Sequence, residues 1–184
     1  MGTPPHGAKL SKEERKFFSD KCQVAKGYKN TASLFIERVV PLMKKEGILG
    51  LVIPKSLTFS QKWNVTREHI LQNLELLEIA DISKAFQDVL LEQIILLCRK
   101  KTAKIDSYLG TRLFWAEKSE TYEIPIYLCE ELDTFPIHVD VMSLAIYEKV
   151  IKNHDHLRKC QEHLEGFLYK LKLQTKSPSI QNRF

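Results

Sequence analysis

Near the start of the chain, Thr3-Pro4-Pro5-His6 sets a hydroxyl, two locked rings and an imidazole in a row. Each proline fixes its own backbone angle and donates no amide hydrogen. Thr3 is pushed extended by the proline after it. The threonine hydroxyl can accept a hydrogen bond, and a neutral imidazole can stack on a flat group. Taken alone, "TPPHG" also reads as a plain surface turn. A second group with chemical potential is His154, Asp155, His156 and His163, in "NHDHLRKCQEH". On a helix His156 and His163 lie two turns apart on one face, a spacing compatible with a metal. No further ligand pattern accompanies them, so a solvated polar face and no metal are expected. Cys22, Cys98, Cys129 and Cys160 are far apart, without a C-x-x-C pair, and read as free thiols of a reducing compartment. The basic run from Cys98 to Lys104 suits either contact with phosphates or a charged strand end that stays soluble.

These residues must be held by elements. Ser11 and Glu14 form a capping box that opens a helix running to about Lys26, with Phe17 and Phe18 available to a core. A second helix is expected from Ala32 to Glu46, kinked at Pro41. "ILGLVI" at Ile48–Ile53, closed by Pro54, reads as a buried strand. A third helix follows over about Val65 to Asn73. Strands are then expected at Leu74–Ile82 and at Val89–Lys101, where Glu92 and Gln93 interrupt the apolar run and leave a helix as the alternative, and extended chain at Tyr122–Leu128. From about Val139 to Leu171 the pattern is helical again. The tail, 172–184, is polar and expected to be disordered. Alternation of helices with buried strands argues α/β with a largely parallel sheet.

Composition is that of an ordinary globular chain: 184 residues, 43% hydrophobic, 28% charged, with a formal net charge of +5. The mild basic excess is compatible with nucleic acid without requiring it. No apolar run is long enough for a bilayer, and no signal-peptide pattern is present, so a cytoplasmic location without membrane contact is expected.

In order and spacing, the diproline loop, "NTASLFIERVVPLMKKEGILGLVIPKSL", "REHIL" and "KAFQDVLLEQIILLCRKK" together resemble the adenine-specific DNA methyltransferases of restriction–modification systems. More narrowly, they are similar to the class whose target-recognition region follows the catalytic domain. The resemblance runs from Gly2 to about Lys101. It implies a Rossmann-like three-layer αβα sheet, of which this chain would hold the C-terminal half. Residues 1–104 would be catalytic, 105–171 a linker and the start of the recognition region. In that family the loop reads Asn or Asp, Pro, Pro, aromatic. The target adenine is flipped from the duplex, and its exocyclic amine donates to the Asn side chain and to the first proline's carbonyl. Two prolines hold that carbonyl still. The matching catalytic positions here are Thr3, Pro4, Pro5 and His6. Thr3 reaches less far than a carboxamide, and His6 offers less stacking area than Tyr or Phe. Phe86 matches a position that stacks on the flipped base. Phe35 matches an aromatic beside the cofactor's adenine, although its periodicity alone places it in a core.

The resemblance implies S-adenosylmethionine as cofactor and double-stranded DNA as partner. The glycine-rich loop that holds this cofactor is not among these residues: the seven glycines are scattered and no G-x-G pair exists. The expectation is a partial enzyme, inactive alone, that needs an N-terminal methyltransferase half. The alternative is a non-catalytic DNA-binding or protein-interaction module descended from such an enzyme.

Overall fold

The computed structural model describes residues 2–5, 7–26, 30–82, 92–103, 105–113 and 119–149. The chain divides into two compact units, Met1–Val139 and Asp140–Phe184.

In the first unit, helix α1 spans Lys12–Lys21. Its capping box is complete: Glu14 N–H donates to Ser11 Oγ at 3.2 Å, and Ser11 N–H donates to Glu14 Oε2 at 2.7 Å. The helix ends earlier than expected, and a separate 3₁₀ turn covers Val24–Lys26. Glu37 holds that turn, accepting from the Gln23 and Val24 amides at 3.0 Å each. Phe18 packs against Cys22, Val24, Ala25 and Leu34, whereas Phe17 is exposed. Helix α2 spans Thr31–Val39, capped by Asn30, whose Oδ1 accepts from Ala32 N–H at 2.8 Å. Pro41 ends α2 rather than kinking it: Val40–Leu42 tightens to a 3₁₀ turn.

Strand β1 is Ile48–Pro54, α3 is Asn64–Asn73, β2 is Leu74–Asp81 and β3 is Gln93–Lys100. Strand β4, Ser107–Leu113, lies where the sequence offered no expectation; β5 is Ser119–Pro125, and α4 is Tyr127–Leu132. The five strands form one sheet in the order β1-β3-β2-β4-β5. The architecture is mixed α/β, but the sheet is not largely parallel. β3 runs antiparallel between β1 and β2, β5 runs antiparallel to β4, and the parallel strand pair is β2 with β4. Eleven residues, 82–92, separate β2 from β3, fewer than the dozen or more that a parallel crossover takes, so antiparallel pairing is the outcome to expect. Strands β4 and β5 extend the sheet past residue 104.

β1, β2 and β4 point the same way, so Pro54, Asp81 and Arg112 sit toward one end of the sheet. The core under this end is dense. Ile53, Ile79, Ile94 and Leu96 are fully buried, each stabilising the fold by about 1.5–3 kcal/mol relative to exposure.

In the second unit a helix covers 141–149. Asp140 starts it, with Oδ1 accepting from Ser143 N–H at 2.6 Å, a bond that holds this exposed carboxyl below the usual range. The rest of the helical expectation and the tail, with His154, Asp155, His156 and His163, lie outside the described residues.

Candidate functional site

The diproline loop is attached to the sheet by one residue. Gly2 makes a parallel bridge with Leu51: its N–H donates to Gly50 O at 2.9 Å and its carbonyl accepts from Val52 N–H at 3.0 Å. The chain therefore runs alongside β1 in the same direction and leaves at its C-terminal end. The next ladder step would need amide hydrogens from Pro4 and Pro54, and proline has none. The pairing stops there, and the loop turns away.

Pro4 is buried between exposed Thr3 and Pro5, so the loop is anchored through its first proline. The Pro5 carbonyl accepts from Thr31 Oγ1 at 2.6 Å. Thr31 is the first residue of α2, so the loop is docked on the helix start. Gly7 then takes a φ of +77°, a left-handed turn that glycine adopts without strain. Phe35 lies one turn further along α2. Its neighbours Leu34 and Ile36 are buried, yet Phe35 is 41% exposed. Its place in a core, expected from periodicity, is therefore corrected: the ring stands at the surface of the helix that carries the loop. His6 and Phe86 lie outside the described residues.

Sequence reasoning missed the charged cluster at this end of the sheet. Lys55, directly after β1, reaches Asp81 Oδ2 at 3.0 Å and Glu92 Oε2 at 3.1 Å. His138 Nε2 lies 3.4 Å from the same Asp81 oxygen, and its ring meets Tyr122 edge-on at 6.2 Å. Burial pulls the Lys55 pKa down, but Asp81 and Glu92 outweigh it, and the net shift is upward. The one local signal was an aspartate closing an apolar strand; nothing near it pointed to His138.

The opposite end of the sheet is structural. Glu75 is completely buried and accepts from the Thr102 and Ala103 amides at 2.7 and 2.9 Å and from Arg99 at 2.6 Å. Those amides, aided by Arg99, pull its carboxyl down to about 2. Lys100 Nζ donates to Met43 O, and Lys101 Nζ to Leu71 O. The basic run thus spends these charges on tying strand ends together, at the end of the sheet away from the diproline loop.

Two cavities, of about 260 and 300 Å³, lie beside α3 and α4. Glu75 and Tyr127 line the first, Arg67 and Cys129 the second, and neither includes the loop or Phe35. Phe35, the position that the resemblance assigns to S-adenosylmethionine, is exposed, and the described residues place no glycine cradle beside it. By themselves they do not fit the cofactor. Among the described residues no three His, Cys, Asp or Glu side chains gather as a metal would require. No described helix is long and apolar enough to cross a membrane.

Residues 1–87 match the family model described as Eco57I restriction-modification methylase. The matched stretch contains the diproline loop, Phe35, β1 and Asp81. No curated protein matches the sequence. Among solved structures, the chain is similar to a complex of a type I restriction–modification system, at a TM-score of 0.60 and 10% identity over 91% of this chain and 44% of that one. It is similar to the type IIG restriction endonuclease BpuSI, at 0.53 and 17% identity over 71% of this chain and 19% of that one. The modification subunit of a putative type I restriction enzyme from Vibrio vulnificus YJ016 gives 0.51 and 20% identity, over 70% of this chain and 28% of that one. At these identities the likeness is one of fold. The chain spans less than half the length of each.

Proposed function

We propose that this chain carries, in residues 1–104, the C-terminal half of the catalytic domain of a restriction–modification DNA methyltransferase acting on adenine. The observation that carries this is the docking of the diproline loop. Gly2 pairs it with Leu51 in the middle of β1 and sends it toward that strand's C-terminal end, Thr31 ties it to the start of α2, and Phe35 stands exposed on the same helix. In open α/β sheets ligands bind beyond the carboxyl ends of the strands. The family-model match over the same residues supports the reading.

The chemistry asked of this chain is to hold and aim. An adenine flipped from double-stranded DNA would give one amine hydrogen to the Pro4 carbonyl and one, less well, to the Thr3 hydroxyl. Pro5 keeps that carbonyl rigid. His6 and Phe86 would stack on the base, and Phe35 would lie against the cofactor. S-adenosylmethionine, when bound, supplies the methyl group. Its glycine-rich cradle would come from an N-terminal methyltransferase half, seated along β1 as an extension of the Gly2 pairing. Ile48, 67% exposed at the start of β1, and the exposed Leu42 would be covered by it. Residues 105–171 would link to, and begin, target recognition.

The test is methyl transfer from tritiated cofactor to mixed-sequence duplex. The chain alone should transfer negligibly. Co-produced with a family N-terminal half it should transfer, and Thr3→Asn should raise the rate, because a carboxamide reaches the amine better. Robust incorporation by the chain alone contradicts the need for a second half. No incorporation from the co-produced Thr3→Asn protein would favour the non-catalytic module instead.

A further inference from the structure

Residues 83–91, which include Phe86, join β2 to β3, and both of their flanks meet at one side chain. Lys55 Nζ lies 3.0 Å from Asp81 on the incoming side and 3.1 Å from Glu92 on the outgoing side. The Lys55 backbone also holds the outgoing side, its N–H donating to Glu92 O at 2.9 Å, while the two flanks join each other directly where Ile82 N–H donates to Gln93 O at 3.2 Å. We propose that Lys55 is a positioning residue, an ammonium clamp that ties together the two chain ends from which this connection departs, just beyond the last rungs of the β2–β3 ladder.

The clamp is unequal. The Asp81 side chain is 7% exposed, so its ion pair is little screened and its carboxylate is costly to leave alone. Glu92 is 64% exposed, and its pair is a weak surface one. The incoming end is therefore fixed and the outgoing end lightly held. His138 adds a second contact to Asp81 at 3.4 Å from the 133–139 segment. That contact leaves Asp81 partnered when Lys55 is replaced, which favours survival of the fold. An alkyl side chain of equal length at position 55 would fill the space but could not span two carboxylates. The significance for base stacking at Phe86 rests on the function proposed above; the clamp itself does not.

Hydrogen exchange on the purified chain tests it, with Lys55→Met and Lys55→Arg. Lys55→Met should speed exchange at the Lys55 and Ile82 amides by roughly tenfold, while the α3 amides stay as they were. Lys55→Arg, which keeps the charge and reach, should recover most of the protection. If Lys55→Met fails to fold, Glu92→Gln decides: it should speed exchange at Lys55 and leave Ile82 unchanged. Unaltered exchange in Lys55→Met, or in Glu92→Gln where that variant decides, overturns the clamp whatever the transfer assay reads. In the co-produced enzyme, Lys55→Met should lower kcat with KM for the cofactor unchanged, and Lys55→Arg should restore it. Absence of transfer by the unaltered pair would remove the proposed function and leave the exchange result to judge the clamp.

Discussion

Among the described residues, two buried carboxylates sit at opposite ends of the sheet, and they behave differently. Asp81 presents one oxygen, Oδ2, to both Lys55 and His138 near the diproline loop. Glu75 is spent on backbone: it gathers the turn after β3 through the Thr102 and Ala103 amides and Arg99. Its folded-state pKa is depressed to about 2 from an ordinary 4.5. A depressed carboxyl stabilises the fold fully above its unfolded value and loses that contribution as pH falls through its folded value. Acid unfolding should therefore carry a component between about pH 4.5 and 2 that Glu75→Gln removes. The same substitution should destabilise the protein at neutral pH by ~2 kcal/mol, because buried amides lose a charged acceptor. Denaturant melts at pH 7 and pH 3 check both: the gap between the two proteins should narrow at the lower pH. Lys55 has the opposite sign. Its raised pKa means its ion pairs persist through neutrality and are lost only as pH climbs beyond the ordinary lysine value near 10.5.

Among the elements, β4 shows how a close approach selects a residue type. A Cβ built on Gly110 would lie 2.1 Å from the Ile137 carbonyl oxygen and 2.5 Å from Ile124 Cδ1. The 134–139 segment crosses β4 there, fastened by Tyr108 Oη to Pro136 O and by Phe135 N–H to Thr58 O. It is this crossing that delivers His138 to Asp81. Gly110→Ala should cost about 1–3 kcal/mol, since the obstacle is backbone and cannot swing aside. It should also loosen the His138 contact, visible as a changed His138 imidazole signal by NMR, whereas Gly7→Ala at the open turn should leave that signal alone. The glycine that makes β4 possible also hides it from sequence reading, because glycine within an apolar alternation lowers strand propensity. By contrast α1 was legible: its capping box is a local device, and local devices are written in adjacent residues. Pro41 was half legible. A proline inside a helical pattern must interrupt it, but whether it bends or ends the helix depends on what the next turn packs against.

At the level of the whole chain, β1 keeps an outer edge beyond the single Gly2 bridge, and Ile48 at its start is exposed, as is Leu42 in the turn before it. A strand running parallel to β1, as Gly2 does, would cover them. With a family N-terminal half present, the chain should elute as a heterodimer and melt at a higher temperature, since a partner that binds only the folded state stabilises it. A well-behaved monomer whose melting is unmoved by that half would count against the pairing. The linear order of residues was enough to set the starts of α1, α2 and α3 to within a residue, the apolar strands β1 and β2, and the family likeness of the first 87 positions, because caps, apolar runs and prolines act on their immediate neighbours; α4 falls partly where extended chain was expected, and β3 was open between strand and helix. Strand direction, the exposure of Phe35 and the meeting of Lys55, Asp81 and His138 were settled only in three dimensions. Each depends on which distant segments share one sheet end, and burial and charge pairing there are properties of the packed chain rather than of any stretch of it.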